Sequence, residues 1–125
     1  MIPISHDNIK KILQTIREYI SCFDEKQAFI VMFICEEIIT NIIYHADFED
    51  KIPKIKCNIK SKNNIELIFK DNAKEFNMLN YPDSDVTLDV ESRSLGGLGI
   101  FLTKKFAKDI KYSYKDNYNI LRIII

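Results

Sequence analysis

Glu37 and Asn41 are the first residues in this chain whose types and spacing suggest chemistry. Four positions apart on a helix, they lie about 40° from one another on one face. That face also carries Ile30, Phe33 and Ile34, an apolar stripe expected to point inward, and His45 follows one turn later. A carboxylate and an amide on a buried stripe are costly unless something pairs them. Two readings stay open: oxygen donors for a hard cation, or polar side chains reaching water at the helix edge. Glu36 falls about 100° away and reads as a solvated charge.

Asp71 shares strand parity with Ile65, Leu67 and Phe69, so its carboxylate should face the core at the mouth of a long loop. There it could accept a hydrogen bond from a ligand amino group, or simply start a turn. The chain has 3 glycines, Gly96, Gly97 and Gly99, all within four positions. Closely spaced glycines ahead of a helix let bare N–H groups approach phosphate oxygens. A hinge or plain helix start is the other reading. The spacing is neither a P-loop nor a dinucleotide fingerprint.

These residues need elements to hold them. Ile9, Ile12, Leu13, Ile16 and Ile20 recur at helical spacing and predict a helix over 7–22. Asp24 to Gln27 reads as a variant capping box opening a second, central helix that runs to about Asp47. Beyond Pro53 the period becomes two, giving strands over 54–60 and 65–70 with a turn at Asn63-Asn64. From Asn72 to Leu95 no period is visible, as expected of a functional loop or lid. A short helix after the glycines and a hairpin turning at Asp116-Asn117 complete the chain. The order implies an α+β two-layer sandwich, helices on one face of a mainly antiparallel sheet.

Composition narrows the function classes. The 125 residues suit a single domain spanning 1–125. With 46% hydrophobic and 29% charged residues, the chain is neither disordered nor fibrous. Its 18 basic and 18 acidic residues cancel, without the global field of a nucleic-acid or anionic-membrane binder. Cys22, Cys35 and Cys57 are odd in number and lack C-x-x-C spacing, which argues against disulfide, metal or redox roles. All three are expected to be small buried hydrophobes in a reducing cytoplasm. Asn8, Lys10 and Lys11 precede any apolar run, unlike a signal peptide. The longest apolar stretch, Ala28 to Cys35, is shorter than the ~20 residues of a membrane span.

Taken in order, the signals resemble the ATPase domain shared by DNA gyrase, heat-shock chaperones, histidine kinases and mismatch-repair proteins. The nearer likeness is to the bacterial anti-sigma-factor serine kinases and their small stand-alone relatives. Glu37-Ile-Ile-Thr-Asn41-Ile-Ile-Tyr-His45-Ala46 resembles that family's N box. Asp71-Asn-Ala-Lys-Glu-Phe76-Asn77 is similar to its D-x-G-x-x-F-[DN] segment, with Ala73 in place of a glycine and Lys74 or Glu75 replacing another. Leu95 to Leu102 resembles its G-G-L-G-I-x-L box, and Asn119 to Ile123 its last strand. The N-terminal strand of relatives is reduced here to Met1–Ile4.

The resemblance implies a histidine-kinase-like ATPase fold binding ATP or ADP with Mg²⁺. Glu37 would be the general base and Asn41 the Mg²⁺ ligand, with His45 nearby. Asp71 would accept the adenine amino group, beside Ala73 and Phe76. The backbone around Gly96, Gly97, Leu98, Gly99 and Ile100 would hold the phosphates, with Arg93 as a cationic contact from the lid. The implied activity is phosphorylation of Ser or Thr on an anti-anti-sigma (STAS-type) partner, and binding of a sigma factor otherwise. A homodimer is a further expectation; direct nucleic-acid and membrane binding are not. A nucleotide-gated binding regulator without phosphotransfer is the alternative, and a histidine-directed catalytic domain the third reading.

Overall fold

The computed structural model describes residues 2–3, 6–80 and 97–125, with side chains described in 8–80 and 99–125. The expectations for Arg93 and Gly96 therefore lie outside the described residues. Helix α1 (His6–Tyr19) gives way to a 3₁₀ turn at Ile20–Cys22, which splits the single helix expected there. Asp24 caps helix α2 (Glu25–His45): its Oδ1 accepts from the Gln27 N–H at 2.8 Å. Such a cap satisfies one of the orphan donors of the first turn.

The sheet contains β1 (Ile2–Pro3), β2 (Lys54–Ser61), β3 (Ile65–Asp71), β4 (Asp109–Lys115) and β5 (Tyr118–Ile124), in the order β1-β2-β3-β5-β4. Helix α3 (Gly97–Phe106) precedes β4. Every neighbouring strand pair is antiparallel. This is the α+β sandwich expected from the pattern. Asp116 and Asn117, at φ 54° and 67°, make the left-handed turn that joins β4 to β5. The turn between β2 and β3 works differently from its expectation. Neither Asn63 nor Asn64 has positive φ, and the Lys62 N–H bonds the Asn64 carbonyl at 3.3 Å instead.

Strand β5 returns between β3 and β4, so Asp71 comes to face Asn119 directly across the sheet. Inside the sandwich, Ile34, Cys35, Ile38, Ile39 and Ile42 of α2 pack in one core with Leu67, Phe69, Leu121 and Ile123 of the sheet. Each of these Ile, Leu and Phe side chains stabilises the fold by roughly 1.5–3 kcal/mol when fully buried. The inward stripe of α2 is rotated from the expected one. Ile30 and Phe33 are half-buried, and Glu37 and Asn41 sit on the flank of the buried line. Phe33 stacks edge-on against Phe106, with ring centroids 5.7 Å apart, so that flank adjoins α3.

By length and mean hydropathy (1.5) α2 could also cross a bilayer, but here it supplies the core of the sandwich. The cysteines do not behave alike. Cys35 is buried and Cys57 half-buried, whereas Cys22 is exposed, contrary to expectation, in the 3₁₀ turn that ends the first helix. All three are free thiols.

Candidate functional site

Where the last turns of α2 meet the ends of β3 and β5, a narrow cleft opens. Asn41, His45, Asp71, Ala73, Phe76 and Asn119 line it, with Met78 beside them. Its free volume is about 30 Å³, enough for a water or two. A purine could enter only by displacing side chains; Phe76 is half exposed at the rim.

Asp71 and Asn119 form the polar floor. Both are buried, each 6% exposed. Asp71 Oδ1 accepts from the Ala73 N–H at 3.0 Å and from Asn119 Nδ2 at 2.9 Å. The same Nδ2 faces the carbonyls of Ala73 and Lys74 at 3.2 and 3.1 Å. Asn119 Oδ1 in turn accepts from the Phe76 N–H at 3.0 Å and from the Tyr112 hydroxyl. One asparagine thus ties the chain after β3 to the sheet. Among the described residues, the side-chain bonds that Asp71 accepts fall on Oδ1. Burial pushes the Asp71 carboxyl up, while the Asn119 amide, the Ala73 N–H and the charge of Lys51 pull it back.

Ala73 is buried and its φ is not positive, so a methyl where the resembling pattern has glycine strains no backbone there. Asn41 is the anomaly. Its Nδ2 is buried and has no hydrogen-bond partner. Leaving a buried amide unpaired costs about 1–3 kcal/mol. An N–H donor so placed at a cleft is suited to an acceptor on a ligand, and Oδ1 of the same side chain is the kind of oxygen that Mg²⁺ accepts. Among the described residues no three His, Cys, Asp or Glu side chains converge.

Glu37 stands one turn before Asn41 but does not line the cleft. It packs against α3: a Cβ built on Gly99 would overlap Glu37 Oε2 and come within 2.6 Å of its Cδ. The absent side chain of Gly99 is therefore filled by a carboxylate of the protein itself. Thr103 Oγ1 donates to the Gly99 carbonyl at 2.8 Å in the next turn. Burial and the neighbouring charge of Glu36 raise the Glu37 pKa. Glu36 itself is exposed and lies 3.7 Å from Arg17, the solvated charge expected of it.

The sequence-based site is thus distributed over two places. Asn41, His45, Asp71, Ala73 and Phe76 meet at the cleft; Glu37 and Gly99 meet at the junction of α2 and α3. Ile100 is buried in the core, and Gly97 and Leu98 belong to the first turn of α3. Asn119, which lines the cleft and holds Asp71, is the residue that the site reading missed. Its parity with Leu121 and Ile123 marks a polar side chain pointing inward, the same signal that singled out Asp71.

Residues 2–125 match the family described as the histidine kinase-like ATPase domain. No curated protein and no solved structure shows a significant match to the chain.

Proposed function

This chain belongs to the histidine kinase-like ATPase domain family, and from that premise we propose that it is a cytoplasmic protein kinase of the anti-sigma-factor type. It binds ATP or ADP with Mg²⁺, phosphorylates a Ser or Thr of an anti-anti-sigma (STAS-type) partner, and holds a sigma factor when not so engaged. The observation that carries this reading is the cleft, where a buried Asp71, held through Oδ1, stands beside an Asn41 amide that has no hydrogen-bond partner among the described residues.

In this reading Asp71 Oδ2 accepts from the exocyclic amino group of adenine, which guanine does not offer at that position. Asn119 fixes the Asp71 carboxylate by occupying its other oxygen. Asn41, through its amide oxygen, is the residue that would hold Mg²⁺, which when bound neutralises phosphate charge. Glu37 takes the proton of the partner's hydroxyl as that oxygen attacks the γ-phosphorus and the bond to ADP breaks. A carboxyl raised by burial is a better base for this than an ordinary one.

A second reading has its own support. Glu37 packs against Gly99 rather than lining the cleft, an arrangement that suits a nucleotide-gated binding regulator without phosphotransfer. Glu37→Gln separates the two. A kinase should keep its nucleotide affinity and lose transfer to an anti-anti-sigma partner by about 10²–10⁴-fold, read from the partner's mass after incubation with Mg-ATP. A parent protein that binds ATP tightly and never adds phosphate to a partner it binds leaves only the regulator.

A further inference from the structure

The neutral net charge of the chain hides a strongly basic face. Helices cover one side of the sheet; on the other, Lys56, Lys60, Lys70, Lys111, Lys115 and Arg122 alternate outward from β2, β3, β4 and β5. The outward acidic residues of these strands are Glu66 and Asp109. Each is already engaged, Glu66 with Arg122 at 2.7 Å and Asp109 with Lys111 at 3.8 Å. Register makes the crowding worse: Lys56 faces Lys70, and Lys111 faces Arg122. Like charges directly opposite one another destabilise an antiparallel pair. At the centre of the face lie Ile68 and Ile120, both half-buried, with Tyr118 under the Lys70 ammonium at 4.5 Å.

We propose that this open sheet face docks an acidic amphipathic helix of a partner protein. An apolar centre within a polar, charged rim is the anatomy of a protein interface. A half-covered sheet buries its second face most simply under a helix. Carboxylates flanking an apolar stripe would neutralise the lysines that have no acidic partner among the described residues. Isoleucines with the single aromatic Tyr118 at the centre, where a single-stranded nucleic-acid platform would present several stacking aromatics, favour protein over nucleic acid. The inference does not depend on phosphotransfer or on the nucleotide cleft.

The probe is a synthetic helical peptide with a leucine stripe flanked on both sides by glutamates, titrated into the intact chain and followed by amide chemical shifts. Shifts should concentrate in 54–60, 66–70, 111–115 and 118–124, and affinity should fall as salt rises. Lys56→Glu with Lys111→Glu should weaken binding at least tenfold. The milder pair Lys60→Gln with Lys115→Gln should give an intermediate loss, and far-UV circular dichroism checks that both stay folded. A peptide with lysines replacing the glutamates should not bind. Shifts on the helical layer, or an affinity indifferent to both variant pairs, overturn the proposal. So does tighter binding of an oligonucleotide or of phosphatidylglycerol vesicles to the same residues.

Discussion

Gly99→Ala tests the junction of α2 and α3 most directly. In an ordinary helix this change should stabilise, since Ala exceeds Gly by about 0.8–1.0 kcal/mol in helix propensity. Here the new Cβ falls 2.6 Å from Glu37 Cδ and overlaps its Oε2. Optimal carbon–carbon separations are about 3.5–4.0 Å, so the carboxyl must retreat by roughly 1 Å. Overpacking of this kind costs typically 1–3 kcal/mol. The low end applies if Glu37 can swing outward, since its carboxyl is the far end of a flexible chain. The net expectation is a loss of about 0–2 kcal/mol where propensity alone promises a gain. Denaturant unfolding of the parent, Gly99→Ala, Glu37→Ala and the double variant isolates the contact. With Glu37 truncated, the alanine should become stabilising, giving a coupling of about 1–3 kcal/mol. Glu37→Gln keeps the volume and should not relieve the clash. If Gly99→Ala has the same effect with and without the Glu37 side chain, the packing argument is wrong.

Other expectations follow from the cleft. Asn41→Ala removes an unpaired buried amide and improves helix propensity, so the nucleotide-free protein should gain up to about 1–3 kcal/mol while Mg-nucleotide affinity falls; calorimetry and thermal melts with and without ligand check both. Asp71→Asn should erode the preference for adenine over guanine nucleotides in competition binding. For stability the sign is set by the raised folded pKa of Asp71. Between its ordinary value of 3.8 and the raised one, the folded state holds more proton than the unfolded. Parent stability relative to Asp71→Asn should therefore increase as pH falls through that window and level off below it; a flat or opposite difference in pH-dependent unfolding would count against it. Asn119→Ala unties Asp71, the Phe76 N–H and the carbonyls of Ala73 and Lys74 at once, and should cost at least about 1–3 kcal/mol in denaturant unfolding.

Periodicity alone determined the order of elements, because buried stripes and alternating faces follow directly from helical and strand repeat lengths. The cap at Asp24, the turn at Asp116-Asn117 and the inward carboxylate of Asp71 were legible for the same local reason. Glu37 and Asn41 could be placed on one helical face, but which way that face turned was not in the spacing. A helix with apolar residues nearly all round admits several rotations, and packing against the sheet chose the one that leaves both residues on the flank.

Only the tertiary structure decided who meets whom. Asn119 becomes the anchor of Asp71 because β5 inserts beside β3, a pairing across 48 residues that no local signal encodes. Gly99 reads in sequence as room for a phosphate, and in space that room holds the Glu37 carboxylate. Equal numbers of acids and bases in the chain become a basic sheet face once alternation sends the strand lysines outward together. Composition fixes how much charge a chain carries; the register of its strands fixes where that charge is felt.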